Sequence, residues 1–316
     1  MTFSSKVKNE ISKLTMESKC CQISELSALI KMTGTIQMHG RNNIGIRLST
    51  ENASIARMIF SLLKNLFYVN TRVAVKRNRQ LNKNNSYTLS IDTYMDAQEI
   101  LLATGILEKT EEGISINYKL PNKLVKKPCC KKAYLRGVFL GGGSISDPDK
   151  TYHLELVTNN NEYAEAIKKL VNSYNLNAKV VNRKGNFVVY LKEGEQIVDF
   201  LNIIGAHKAL FSLQNVRIYK EMRNNVNRIV NCETANLSKI VNASIRQINN
   251  IGIIRDKIGF DKIPENLAEI AELRLKYPDS SLKELGEMMD PPIGKSGVNH
   301  RLRKLDEIAE DIKIKK

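Results

Sequence analysis

Ala133-Tyr-Leu-Arg-Gly-Val-Phe-Leu-Gly-Gly-Gly-Ser-Ile145 decides how the rest of this chain is read. The stretch predicts a short apolar helix, closed by three glycines and running into a strand. Gly137 and Gly141 lie four residues apart on one helical face and carry no Cβ, so a second helix can approach to near-backbone contact.

A partner helix is present upstream, in Cys20-Cys-Gln-Ile-Ser-Glu-Leu-Ser-Ala-Leu-Ile-Lys-Met-Thr-Gly-Thr-Ile36. Leu26 falls on Leu135, Ala28 on Gly137, Thr33 on Gly142 and Gly34 on Gly143. The pairs Cys20-Cys21 and Cys129-Cys130 each begin six residues before the matched leucine. Downstream, Ile46–Thr50 and Leu154–Thr158 alternate like half-buried strands, and each leads into an amphipathic run: Ile55, Ile59, Leu62 and Leu63, then Tyr163, Ile167, Leu170 and Val171. Val69-Asn-Thr-Arg-Val73 and Leu176-Asn-Ala-Lys-Val180 then open matching hairpins, and Leu101/Gly105 repeat as Leu201/Gly205. Residues near 20–107 and 129–210 are therefore two copies of one unit, ordered helix, two strands, helix, two strands, helix. Ala28, Gly34, Gly137 and Gly141 are the expected contacts between the copies. An amphipathic helix over 2–19, capped by Ser4 or Ser5, precedes them.

Leu135–Gly143 resembles the LAGLIDADG motif of homing endonucleases, in which two such helices pack and two sheets form a concave saddle over DNA. The resemblance implies an α+β fold, a duplicated αββαββα pseudo-dimeric saddle. Those enzymes place an acidic residue at the end of each motif helix to hold a metal that activates water. Here the positions are Thr33 and Gly142, and Mg²⁺ requires hard oxygen ligands. Asp147 and Asp149 follow the second motif, but Asp147-Pro-Asp149 is a turn signature. The reading is a scaffold kept and a reaction lost, with no catalytic residue.

Charge points to a polyanionic partner. The net charge is +16. Residues 1–125 hold 17 basic and 10 acidic residues, 126–225 hold 16 and 9, and 226–316 hold 16 and 14. The excess thus lies on the two copies, which suits nucleic acid. Arg72, Lys76, Arg77, Arg79 and Lys83 follow one another without an acid between them, and Lys179, Arg183 and Lys184 occupy the matching hairpin. They read either as phosphate contacts or as an exposed, solvated hairpin. With no tryptophan, stacking of single strands is not indicated. No apolar run approaches membrane-spanning length, and the first residues lack a signal-peptide core; a cytoplasmic, nucleoid-associated protein without membrane contact is expected.

Past residue 212 the chain reads all-α. A polar connecting helix over 216–231 leads to a long helix with Leu237, Ile240, Val241 and Ile248 at helical spacing, and Pro264 starts another with Leu267, Ile270 and Leu273. Ser281-Leu-Lys-Glu284 is a capping box opening a short helix with Leu282, Leu285 and Met288 inward. After Asp290-Pro-Pro292 and Gly294, Ser296 caps a last helix whose inner stripe is Val298, Leu302, Leu305 and Ile308. Its other face presents Lys295, Ser296, Asn299, His300, Arg301, Arg303 and Lys304, with no acid before Asp306. Together with Lys283 these are the candidate DNA-binding residues of a helix-turn-helix, because Arg and Asn match guanine and adenine edges. The intervening turn is longer than the usual three or four residues.

Three separated motifs in one order make the whole chain similar to the WhiA family of bacterial regulators: Cys129–Ser144, Asn231-Cys-Glu-Thr-Ala-Asn236 and Asp290–Leu305. The resemblance implies a non-catalytic regulator of transcription that binds double-stranded DNA, acting in cell division and chromosome segregation, and in sporulation in some bacteria. The expected domains are repeat 1 over 1–125, repeat 2 over 126–215, a linker over 216–235 and the helix-turn-helix over 236–316. RNA polymerase or another regulator is a further expected partner, with no cofactor and no small-molecule substrate. An active nuclease or RNA maturase shares the fold and charge but fails on Thr33 and Gly142. An adaptor that grips a protein with its saddle, with only the helix-turn-helix on DNA, remains open. The four paired cysteines form a zinc or redox cluster only if the copies bring them together. Adjacent residues point apart, so the expectation is buried filler and no metal.

Overall fold

A computed structural model describes residues 2–15, 18–38, 44–77, 85–111 and 113–314. They form two compact units, Met1–Lys220 and Glu221–Lys316. The first copy comprises α2 (Lys19–Thr33), β1 (Gly34–Met38), β2 (Ile44–Thr50), α3 (Ala53–Phe67), β3 (Arg72–Arg77), β4 (Asn85–Ile91) and α4 (Tyr94–Ala103), preceded by α1 (Phe3–Ile11). A small antiparallel hairpin, β5 (Leu107–Thr110) and β6 (Gly113–Ile116), separates it from the second copy. That copy comprises α5 (Pro128–Gly142), β7 (Gly143–Ile145), β8 (Leu154–Thr158), α6 (Asn161–Asn172), β9 (Lys179–Arg183), β10 (Asn186–Leu191) and α7 (Gly194–Ile204). The sheets have the same order, β1-β2-β4-β3 and β7-β8-β10-β9. This is the duplicated LAGLIDADG-like α+β arrangement.

The copies repeat their local chemistry. Asn52 caps α3 by accepting from the Ser54 and Ile55 amides, and Asn160 caps α6 by accepting from that of Tyr163. Period-two alternation buries Ile46, Leu48, Leu89 and Ile91 under one sheet, and Leu154, Leu156, Val189 and Leu191 under the other. Both inner faces join one apolar core with Leu26, Leu29, Leu135, Val138 and Phe139 of the motif helices at its centre.

The start of this unit differs from the sequence reading. In place of one helix over 2–19, α1 ends at Ile11, and Thr2, not Ser4 or Ser5, caps it by accepting from the Ser5 amide. The β5–β6 hairpin has no counterpart in the repeat pattern, and periodicity does not reveal it.

α8 (His207–Lys257) is one 51-residue helix, where the sequence suggests a connecting helix and a second long one; no proline interrupts it. Leu237, Ile240 and Val241 stay exposed on it, while Ile251 and Ile254 enter the second unit's core. That unit continues with α9 (Glu265–Lys276), α10 (Leu282–Glu287) and α11 (Lys295–Ile314). Leu267, Ile270, Leu285, Val298, Leu302 and Leu305 complete its core. The capping box at Ser281 and Glu284 is present. Met289 is buried and Met288 half exposed, the reverse of the expectation, because α10 ends at Glu287 and the turn swings Met289 inward. Ser296 lies inside the first turn of α11 instead of capping it. Among the described residues no helix is long and apolar enough to cross a membrane.

Candidate nucleic-acid interface

The two motif helices, α2 and α5, meet along a seam of small residues. A Cβ at Gly137 would stand 2.5 Å from the Glu25 carbonyl oxygen and 2.8 Å from the Ala28 Cβ. At Gly141 it would stand 2.5 Å from the Met32 Cβ. Both glycines are therefore required by contact, as is Ala28 by its closeness to Gly137. Gly34 ends α2 with its amide bonded to Ile30; a Cβ there would strike Ile30 of its own chain turn, not the other copy. Gly34 nevertheless lines a recess together with Thr158, Asn160 and Tyr163 of the second copy. One ion pair crosses the seam: Arg136 donates to both Glu25 oxygens, at 2.6 and 3.2 Å, with the Glu25 side chain wholly buried. Burial pushes the Glu25 carboxyl up while Arg136 pulls it down. A bidentate partner of fixed charge keeps such a group in place.

The acid positions of the fold do not fit a metal. Thr33 turns its hydroxyl back on the Leu29 carbonyl at 2.8 Å. A Cβ at Gly142 would lie 2.1 Å from the Met32 methyl and 2.7 Å from the Val157 carbonyl oxygen. The Met32 methyl and the Val157 carbonyl thus crowd the point from which any side chain at 142 would start. Asp147 accepts from the Asp149 amide at 3.1 Å, and so acts as a turn residue.

Each sheet has an open face opposite its core. Register puts Thr35, Arg47, Ser90 and Arg72 in one row across the first sheet, with Ser49–Thr88–Ala74 and Ser86–Lys76 beside it. Arg47, Arg72 and Lys76 are exposed there; Arg72 approaches Asp92 at 3.3 Å, with both side chains largely in solvent. Arg47 is an addition to the expected set, although strict alternation in Ile46-Arg-Leu-Ser points it to this face. Arg77 pairs with Asn85 and lies on the opposite face. Arg79 and Lys83 lie outside the described residues.

The second sheet is less basic at its centre. Its row is Ser144, Glu155, Tyr190 and Lys179, and Val157, Val188 and Val181 form the next. Glu155 engages His153 at 2.7 Å and Arg183 at 3.4 Å. Lys184 stands at the hairpin tip with a positive φ of 52°.

In the second unit, α10 and α11 form the helix-turn-helix. Gly286 admits the turn: its missing Cβ would sit 2.1 Å from the Ile293 carbonyl oxygen, and the Ile293 amide donates to Gly286 at 3.0 Å. The long turn is held from α9, where Glu269 accepts from the Asp290 amide at 3.0 Å. Val298, Leu302 and Leu305 fix α11 by one face. The other leaves Lys295, Ser296, His300, Arg303 and Lys304 exposed and Asn299 half-buried. Leu282, Lys295, Ser296 and Asn299 line a shallow groove between α10 and the start of α11. Lys283 is exposed near Glu287 at 3.7 Å.

Arg301 departs from the expected set. Its Nη1 donates to the Asn266 carbonyl at 3.3 Å and lies 3.9 Å from Glu269. Arg301 is a brace between α11 and α9, turned away from the exposed face. The α-helical period of 3.6 places residue 301 between the buried 298 and 302 positions and the exposed 300 and 303.

The cysteines hold the largest surprise. Cys20, Cys21, Cys129 and Cys130 bring their sulfurs within 4.8 Å of one another, against the expectation that vicinal cysteines diverge. Each pair sits in the first turn of α2 or α5. Cys21 and Cys130 face into the seam and Cys20 and Cys129 flank it. The Ser18 hydroxyl, 3.6 Å from the Cys20 sulfur, holds that thiol down at about 7, and burial pushes Cys130 up to about 12.

Three family models match this chain in order: the WhiA N-terminal LAGLIDADG-like domain over residues 19–107, the WhiA LAGLIDADG-like domain over 131–223, and the WhiA C-terminal HTH domain over 226–309. A probable cell division protein WhiA from Alkaliphilus metalliredigens is 57% identical over 310 residues, covering 98% of each chain. One from Clostridium novyi is 54% identical over 313 residues, covering 99% of each. The crystal structure of full-length WhiA from Thermatoga maritima aligns at 25% identity and a TM-score of 0.60, covering 98% of this chain and 99% of that one.

Proposed function

Because the chain belongs to the WhiA family, we propose that it is a non-catalytic, sequence-reading binder of double-stranded DNA that regulates transcription in cell division. Chromosome segregation and sporulation are the further settings the family resemblance implies. The observation that carries the reading is the exposed face of α11. Lys295, Ser296, His300, Arg303 and Lys304 stand out from a helix anchored by its opposite face, with Asn299 at the groove beside α10. A rigid helix with Arg, Asn and Lys along its free side suits the major groove.

The first sheet has a different task in this reading. Arg47, Arg72 and Lys76 share its open face with serines and threonines, which suits phosphate contact and carries no base information. Lys179, Arg183 and Lys184 would add to it from the second sheet. The seam supports a scaffold without cleavage, since Thr33 and Gly142 offer no carboxylate and the Thr33 hydroxyl is spent on the Leu29 carbonyl.

The test uses the full chain, selected against a pool of random duplexes with Mg²⁺ present. A motif should emerge with no cutting of the DNA. Lys295→Ala, Arg303→Ala and Lys304→Ala together should abolish the preference for that motif while leaving weak general binding. A preference that survives the triple change, or Mg²⁺-dependent cleavage, overturns the proposal. No preference in the unaltered chain also overturns it, in favour of a protein partner.

A further inference from the structure

Four thiols from two distant parts of the chain meet at the N-terminal end of the motif-helix seam. The Cys21 and Cys130 sulfurs are 4.0 Å apart across it, Cys129 and Cys130 are 4.0 Å apart within one turn, and the whole set lies within 4.8 Å. Tetrahedral Zn²⁺ with Zn–S bonds of about 2.3 Å holds its four sulfurs roughly 3.8 Å from one another. The four side chains are therefore within an ångström of that geometry before any ion draws them in. A disulfide needs about 2.05 Å and would use two of the four, leaving the matched pair without a role. An iron–sulfur cluster, built of several metal atoms, would separate the two pairs more widely than a single ion does.

The surroundings suit an anionic metal centre. A zinc with four thiolates carries a net charge of −2. Each cysteine pair occupies the first turn of its helix, where free backbone amides and the helix dipole favour negative sulfur. Lys19, Lys127, Lys131 and Lys132 flank the pairs in sequence. Ser18 lies against Cys20. Cys21 and Cys130 are buried, Cys20 half-buried and Cys129 exposed, so the site is closed on its inner side and open to solvent at its rim. The objection that neighbouring cysteines chelate poorly applies to one pair alone. Here each helix supplies one sulfur from the seam and one from its edge, and the pseudo-two-fold relation of α2 and α5 brings the four sulfurs together.

We propose that Cys20, Cys21, Cys129 and Cys130 bind one zinc ion as a tetrathiolate site that staples the two copies together at the start of their motif helices. The site is structural, because four protein ligands leave no open position for a water. It lies roughly 20 Å, thirteen residues at 1.5 Å each, from the other helix end where Thr33 and Gly142 stand. It is therefore separate from the position at which nucleases of this fold keep their metal.

The full chain, purified without a metal-binding tag, should contain one zinc per chain by elemental mass spectrometry. Cys21→Ser with Cys130→Ser should reduce that to none, while Cys232→Ser, on the exposed side of α8, should leave it at one. Should the double variant fold poorly, the unaltered chain decides the matter. Stripped of metal under reducing conditions and titrated with Co²⁺, it should develop thiolate-to-cobalt charge transfer and the visible bands of tetrahedral cobalt, saturating at one equivalent. A chain that arrives without zinc and gives no such spectrum overturns the proposal. So does a Cys21–Cys130 disulfide in the freshly isolated protein, or zinc retained after both substitutions.

Discussion

The two copies fold alike and differ where they touch and where they face solvent. At the seam they differ by complement. Met32 of the first copy is large where its counterpart Gly141 is small, and Ala28 lies against Gly137. Glu25 meets Arg136, while their counterparts are Tyr134 and Ser27. A pseudo-two-fold axis places matched positions side by side at fixed packing density, so one copy can grow only where the other shrinks. On the open faces nothing imposes that constraint, and the charges have diverged: Arg47, Arg72 and Lys76 on one sheet, an acid-centred group of Glu155, His153 and Arg183 on the other.

Breaking the seam should have the largest effect. Arg136→Met leaves Glu25 buried without its partner and should cost about 3–5 kcal/mol in chemical denaturation. Arg136→Met together with Glu25→Leu should recover most of that, because no buried charge is left. If the single change costs under about 1 kcal/mol, the ion pair does not organise the seam.

The matched small residues should respond unequally. Gly137→Ala drives a Cβ against a carbonyl oxygen 2.5 Å away and should destabilise by about 1–3 kcal/mol. Ala28→Gly at the matching position should cost only about 1 kcal/mol, through helix propensity and a small void. Equal losses in thermal unfolding would mean that the two sides of the seam are equally tight.

The open faces are compared by salt dependence of DNA binding. Arg47→Ala, Arg72→Ala and Lys76→Ala together should lower the slope of log K against log salt by ~0.9 for each phosphate that is no longer neutralised. Lys179→Ala with Arg183→Ala should lower it by less, since two charges are removed instead of three and the less exposed Glu155 already engages Arg183, while the Arg72–Asp92 pair lies largely in solvent. An equal drop from both sheets would show that Glu155 does not temper its face.

A pH-dependent effect concerns Lys31, whose counterpart is Leu140. Burial lowers its pKa from 10.5 to about 8, so the folded state favours the neutral amine. Stability should therefore rise with pH from about 8 toward 10.5, where the unfolded chain still binds the proton and the folded chain has released it. Burial lowers Lys8 to the same value, so Lys31→Leu should remove part of that rise and Lys31→Leu with Lys8→Met most of it, measured by denaturation at pH 7.5 and 10; a rise that survives both changes would assign it to other groups.

Much of the fold and of the site is legible directly in the residues. The duplication follows from matched leucines, glycines and cysteine pairs, and the helix-turn-helix from a capping box, a proline stop and an apolar stripe. Arg47 is equally legible from strand alternation. The β5–β6 hairpin is not, because it lies between the copies and repeats nothing. Arg301 escapes a reading by helical face because a residue at the edge of an apolar stripe goes to whichever side offers partners, and Asn266 and Glu269 belong to another helix. Polarity suggests a division of α8, although polarity alone does not end a helix that meets no proline.

The sequence by itself determined the elements of the duplicated unit, their order and which face of each is apolar, since these depend on spacings of two and 3.6 residues within a short stretch. Tertiary structure alone decided what meets across the copies. Glu25 and Arg136 are 111 residues apart, and Cys21 and Cys130 are 109 apart. Such pairs leave no local periodicity, and their distance is set only when two helices with facing small residues close to contact.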